Sequence, residues 1–212
     1  MNKPNPTVFI VDDDPSVRKG LGRLLRSTSY DVETFGSAQE FLEMIPDCPG
    51  PVCLVLDVKM SGLNGLELQD QLQKREYTIP IVFVTGHGDI PMSVKAMKTG
   101  AIDFLTKPFD EEDLLKAVQE ALKKDVANRS EMNERQNILQ RVKSLTPREY
   151  EILTYVITGM LNKQIAYALD ISEKTVKVHR GRVMEKLGVD SVAELVRLAG
   201  KADIEPAQVP AL

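Results

Sequence analysis

Four short apolar runs in the first half of the chain each lead into a residue capable of chemistry, and that repetition restricts the folds open to it. Residues 8–11 run into Asp12 and Asp13, 52–56 end at Asp57, 81–84 end at Thr85, and 101–105 lead to Lys107-Pro108. Short runs that are apolar on both faces fit strands of a covered parallel sheet. Helical patterns separate them. Strands are expected near 7–11, 32–35, 52–57, 81–85 and 102–106, with helices near 15–27, 37–45, 64–74, 90–99 and 110–125. Such alternation is the pattern of an α/β fold, a doubly wound five-stranded parallel sheet with helices on both faces. Local signals agree. Pro15 suits a first helical turn, Ser37 with Glu40 reads as a capping box, and Asn64-Gly65 and Lys98-Thr99-Gly100 read as loop or helix-end signals.

In open parallel sheets, ligands bind at the carboxyl ends of the strands. Three acids, a hydroxyl and an amine are thereby delivered to one place. A carboxylate can attack a phosphoryl group and form an acyl phosphate, and Asp57 is the central candidate. Phosphoryl transfer depends on positioning and charge stabilisation, so Mg²⁺ is expected, with Asp12, Asp13 and Asp57 as its hard oxygen ligands. Lys107 and Thr85 would each meet an equatorial phosphoryl oxygen. A lone acid after a strand is usually a turn or a helix cap; the signal lies in the ordered set.

The segments FIVDDD (9–14), CLVLDVKMSGLNG (53–65) and PIVFVTGHGDIPMSVKAMKTGAIDFLTKPF (80–109) resemble a response regulator of two-component signalling, closest to the FixJ-like branch of the NarL/LuxR class. The resemblance spans nearly the whole chain, apart from the first few residues, 126–142 and the last dozen. It implies a flavodoxin/CheY-like receiver in which Asp57 accepts a phosphoryl group from a sensor histidine kinase. It also implies that the backbone carbonyl of Lys59 joins Asp12, Asp13 and Asp57 around Mg²⁺, that Thr85 and Phe104 form a switch pair, and that Lys107-Pro108 is cis. Ser61 departs from the family, which usually has proline there, and a looser loop is expected.

The C-terminal segment 145–189, LTPREYEILTYVITGMLNKQIAYALDISEKTVKVHRGRVMEKLGV, resembles the LuxR-type helix-turn-helix. Thr146-Pro147-Arg148-Glu149 reads as a capped helix start, Asn162 to Leu169 as a scaffold helix, and Ser172 as the cap of a last helix that stops at Gly188. On that last helix Val176, Val183 and Leu187 share a core face, opposite Lys174, Lys177, Val178, Gly181, Arg182 and Glu185. A helix of this kind fits a DNA major groove. The resemblance places Lys177 and Val178 nearest the bases, with Thr175, His179, Arg182 and Lys186 nearby. Gly181 stands where relatives carry a basic residue, so one base contact is expected to be lost. His179 reads as a surface residue near DNA phosphate rather than a metal ligand.

Charge separates the two halves. Residues 1–125 carry a net −6 and residues 143–201 a net +3, within a chain of net −4, so only the second half is expected to meet a polyanion. The domain reading is 1–125 receiver, 126–142 linker or helical extension, and 143–212 an all-α, four-helix DNA-binding domain. For 126–142, one continuous helix and a flexible tether both remain open. Apolar content of 42% and charge content of 27% describe a globular chain. No apolar run reaches the ~18 residues that span a bilayer, and the start lacks a signal-peptide core, so a cytoplasmic location is expected. Cys48 and Cys53 have no companion ligands, which argues against zinc.

The expected mechanism couples the halves. Phosphorylated Asp57 draws Thr85, Phe104 turns inward, and the surface of the 90–99 helix and fifth strand changes, favouring a homodimer that binds promoter DNA. RNA polymerase is a further candidate partner; no membrane is involved. His87 and Lys59 are candidates for setting the acyl-phosphate lifetime, against a plain reading as solvated loop residues. An enzyme of the haloacid-dehalogenase-like phosphatase type would need an acid two residues after its nucleophile, where this chain has Lys59. The chain is therefore read as a phosphoacceptor regulator rather than an enzyme. A second rival, a receiver that is never phosphorylated and serves only for docking, would keep DNA control in an Asp57→Ala strain.

Overall fold

A computed structural model describes residues 4–45, 48–86 and 90–208, which fall into two compact units, Met1–Arg129 and Ser130–Leu212. In the first, strands β1 (Thr7–Val11), β2 (Asp31–Phe35), β3 (Val52–Asp57), β4 (Ile81–Thr85) and β5 (Asp103–Thr106) alternate with helices α1 (Pro15–Ser27), α2 (Ala38–Met44), α3 (Gly65–Lys74), α4 (Ile90–Lys98) and the opening part of α5 (Glu111–Lys143), whose residues from 130 on belong to the second unit. Every strand pair is parallel, and the order is β2-β1-β3-β4-β5. The doubly wound five-stranded sheet is therefore present. Its topological switch point lies between β1 and β3.

Period-two alternation splits the strands between two cores. Phe9, Val11, Leu54, Leu56 and Phe83 pack with Phe41, Leu68, Leu72 and Ala96 from α2, α3 and α4. Val8, Ile10, Cys53, Val55, Val82 and Val84 pack with Leu21, Leu25, Leu114, Val118 and Ala121 from α1 and α5. With both faces covered, the central strands read as continuous apolar runs.

Caps set the helix entries at the carboxyl edge. Asp14 accepts from the N–H of Ser16 and of Val17, and Pro15 occupies the first turn of α1. Ser37 accepts from the Glu40 N–H, but the Glu40 carboxylate reaches past Ser37 to the Gly36 N–H, so the expected box is not closed there. The closed box belongs to Asn64 and Glu67, which makes Asn64-Gly65 the start of α3. At Gly65 an added Cβ would lie 2.3 Å from the Asp57 carbonyl oxygen, so only glycine lets α3 begin against the end of β3.

Helix α5 continues well past residue 125, and 126–142 are helical. Arg129 bonds Asp125 and the Cys48 carbonyl in the first unit. In the second unit Ile138 joins a core with Ile152, Leu153, Ile165, Val176, Val183, Leu187 and Leu195. Those come from α6 (Pro147–Val156), α7 (Asn162–Ala168), α8 (Glu173–Leu187) and α9 (Val192–Lys201). Gly188 ends α8 in the left-handed region at φ 65°.

Candidate phosphoryl-acceptor site and DNA-facing helix

Because Val11 pairs with Leu56 across the switch point, the next residues, Asp12 and Asp57, leave the sheet side by side. Lys107 closes the pair. Its Nζ donates to Asp12 Oδ2 at 2.8 Å and to Asp57 Oδ1 at 3.0 Å. Asp12 Oδ1 accepts from the Asp14 N–H, and the Lys59 N–H bonds the Asp57 carboxylate. Both acids are buried. The Lys107-Pro108 peptide is cis, and the Lys107 N–H donates to the Thr85 carbonyl at 2.7 Å.

One ammonium serves two carboxylates, and the electrostatics reflect it. Burial pushes the Asp57 carboxyl above its usual range and the like charge of Asp12 adds to this, while Lys107 and the Lys59 N–H pull it back incompletely. Burial works against the Lys107 ammonium, but its bonds to Asp12 and Asp57 prevail and hold its pKa up. Thr85 is fully buried at the end of β4, next to Val84, which pairs with Asp57. Phe104, on β5 opposite Phe83, is half-buried with its ring centroid 6.1 Å from that of Phe83.

Asp13 does not join the other acids. It is exposed, and its Oδ2 accepts from the Ser61 N–H at 2.9 Å and the Ser61 hydroxyl at 3.1 Å. The loop at Ser61 is thus tethered rather than loose, a correction to the sequence expectation: serine supplies two donors where proline has none. Among the described residues, no three His, Cys, Asp or Glu side chains gather as a metal-holding group. The donor chemistry still fits a hard divalent cation. Asp12 and Asp57 are adjoining carboxylates with one counter-charge between them, and Mg²⁺ is commonly held by one or two carboxylates plus water. His87 lies outside the described residues.

On α8 the expected division of faces holds for burial. Val176, Val183 and Leu187 are fully buried, while Lys174, Lys177, Val178, Gly181, Arg182 and Glu185 are exposed. Three candidates for DNA contact are less free. The Thr175 and Ser172 hydroxyls share a 2.7 Å hydrogen bond. His179 is half-buried, and its Nδ1 has no hydrogen-bond partner among the described residues. Lys186 is exposed but tied down, donating to Glu149 Oε2 at 2.6 Å and to the Ser144 carbonyl at 3.1 Å. Glu149 is buried and also closes the cap of α6 by accepting from the Thr146 N–H. The Lys186 and Thr146 bonds together draw its pKa down to about 2 against desolvation.

Sequence reasoning missed this buried role of Glu149. It also missed Asp125, which is buried and accepts from the Val52 N–H at the head of β3. A signal existed for Glu149, since the third residue of a capping box is tied to the helix start. None existed for Asp125.

A sheet of order 2-1-3-4-5 with paired acids and a lysine at its switch point, on a chain that also carries a capped helix-turn-helix, defines a response regulator. The chain belongs to that family: residues 8–119 match the response regulator receiver domain, and residues 143–199 match the bacterial regulatory proteins of the luxR family. It is 46% identical to nodulation protein W of Bradyrhizobium diazoefficiens over 91% of this chain and 84% of that one. It is 42% identical to the transcriptional regulatory protein FixJ of the same species over 92% and 95%. The solved structure of the response regulator StyR is similar at 51% identity and a TM-score of 0.77, covering 93% of this chain and 99% of that one. These relatives are FixJ-like regulators, and the chain is a response regulator with a receiver and a LuxR-type DNA-binding domain. No helix among the described residues is long and apolar enough to cross a membrane.

Proposed function

We propose that Asp57 is the phosphoacceptor and that its phosphorylation by a sensor histidine kinase controls DNA binding by α8. The observation that carries this is the Lys107 ammonium bridging Asp12 and Asp57 at the switch point. A buried carboxylate with too little counter-charge is more basic than usual and well suited to attack phosphorus. The Asp57 oxygen forms the new O–P bond while the bond from phosphorus to the donor's histidine nitrogen breaks, and the imidazole leaves. Lys107 then faces an added phosphoryl oxygen. Asp12 and Asp57 with the Lys59 carbonyl, and Asp13 once it leaves Ser61, would hold Mg²⁺, which supplies charge neutralisation when bound.

Aspartyl phosphate adds charge and acceptor oxygens beside Thr85, whose hydroxyl turns toward them. Phe104 fills the space that opens, and the surface of α4 and β5 changes. On α4, Ile90, Val94 and Met97 expose an apolar face at helical spacing, which suits a homodimer of the phosphorylated protein. Residues 1–125 act as the receiver and 143–212 as the DNA-binding domain, with 126–142 connecting them in a cytoplasmic regulator that is not an enzyme. On promoter DNA, Lys177, Val178 and Arg182 make the main contacts, with Thr175 and His179 at the margin. RNA polymerase is the partner through which such a regulator would act on transcription. Lys186, expected as a contact, serves mainly through Glu149.

The test is a DNA-binding and size-exclusion comparison of wild type and Asp57→Asn, each with and without acetyl phosphate and Mg²⁺. Wild type alone is expected to gain mass by one phosphoryl group, dimerise and tighten on DNA. Equal responses from both proteins would remove Asp57 from the mechanism.

A further inference from the structure

The Ser61–Asp13 contact touches one of the three acids assigned to Mg²⁺, and it is the one acid that Lys107 does not gather. We infer that Ser61 is a positioning residue that withholds Asp13 from the cation and so weakens Mg²⁺ binding by this receiver. The inference rests on the Mg²⁺ reading above.

Its basis is the occupancy of one oxygen. Asp13 Oδ2 accepts both Ser61 donors, the N–H at 2.9 Å and Oγ at 3.1 Å. Among the described residues Ser61 bonds neither of the two acids that Lys107 gathers: Asp12 is held by Lys107 and the Asp14 N–H, and Asp57 by Lys107 and the Lys59 N–H. With Asp13 drawn toward the β3–α3 loop, no three-acid group forms among the described residues. For Oδ2 to ligate a cation, its two hydrogen bonds must be given up, and that loss subtracts from the binding free energy. Ser61 is exposed, so removing its hydroxyl leaves no cavity and no buried orphan.

The two donors can be removed in turn. Ser61→Ala deletes the hydroxyl and keeps the N–H; Ser61→Pro deletes both. Mg²⁺ affinity of the unphosphorylated full chain, read by isothermal titration calorimetry, is expected to tighten by ~3-fold in Ser61→Ala and ~10-fold in Ser61→Pro, from the modest net worth of an exposed hydrogen bond. Thermal midpoints in metal-free buffer should fall by no more than the hydrogen-bond free energy that the affinity gains, which separates a released Asp13 from a disturbed fold. Introducing Asp13→Asn into both wild type and Ser61→Ala should abolish the difference in affinity between them.

Weaker Mg²⁺ binding in the Ser61 variants would overturn the inference, because Ser61 would then be presenting Asp13 to the cation. Unchanged affinity alongside a clear loss in Asp57→Asn would also overturn it while leaving the Mg²⁺ reading intact. If wild type takes up no Mg²⁺, both fall together. Should Ser61→Pro fail to fold, the Ser61→Ala variant alone decides the direction.

Discussion

Asp57 in the receiver and Glu149 in the DNA-binding domain are both buried carboxylates bonded to a lysine, yet their environments push them in opposite directions. Asp57 is raised above the usual carboxyl range and Glu149 is drawn down to about 2. The difference lies in what else each lysine and each acid must serve. Lys107 is divided between Asp57 and Asp12, so negative charge is left over. Lys186 has a single acid, and that acid also takes the Thr146 N–H in a closed capping box. A satisfied pair holds two helices together, whereas an under-satisfied pair leaves a carboxyl above its usual range. Burial of an acid therefore says little about its role until its partners are counted.

The largest effect is expected from Lys107→Met, which strands two adjoining carboxylates without a counter-charge. In metal-free buffer it should destabilise the receiver by about 3 kcal/mol, at the low end for removing one partner of a buried pair because Lys107 is partly exposed. Amide exchange of β3 would register it, and added Mg²⁺ should restore part of the loss. Gly65→Ala comes next. A Cβ against the Asp57 carbonyl forces α3 away from β3, at a cost of about 2 kcal/mol in a urea melt.

Lys186→Met should cost about 1.5 kcal/mol, as expected for a hydrogen bond to a charged group, since Glu149 keeps its Thr146 bond. Its effect on DNA affinity should nearly vanish once stability is restored by lower temperature. Arg182→Ala on the exposed face should instead weaken binding directly and lower the salt slope by ~1. A Lys186 variant that behaved like Arg182→Ala would return Lys186 to the DNA surface.

Smaller still are the opposed titrations. Glu149 has a depressed folded pKa, so its contribution is present above its usual value of 4.5 and is lost as pH falls toward about 2. Glu149→Gln should flatten that part of the acid unfolding curve. Asp57 has a raised folded pKa, so its contribution is favourable below its usual 3.8 and is lost as pH rises through the folded value. Asp57→Asn should therefore stabilise the receiver at neutral pH, with the melting midpoint rising by about 3 °C. A lower midpoint would mean that Lys107 fully satisfies both acids.

Much of this molecule was readable as a string. Strand positions, the acids and hydroxyl that end them, the caps at Thr146 and Ser172 and the stop at Gly188 all depend on neighbours within a few residues. Period-two and period-3.6 patterns carry that information directly. The unclosed Ser37–Glu40 box was a local misjudgement, but the other misjudged features depend on residues far apart in the chain. Ser61 meets Asp13 across 48 positions, Lys186 meets Glu149 across 37, and Asp125 reaches Val52 across 73.

Residues 126–142 show the same limit. Their polar stretch left both helix and tether open, and the folded chain anchors the helix at Arg129, through a bond to the distant Cys48 carbonyl, and at Ile138 in the second core. Local order along the chain thus settled the parallel sheet, the acids at its carboxyl edge and the second, basic half. Only the folded chain decided which acid shares a lysine, which is held by a loop serine and which lysine is tied to a buried acid, because a long side chain takes its partner from whatever the packing brings within hydrogen-bond reach.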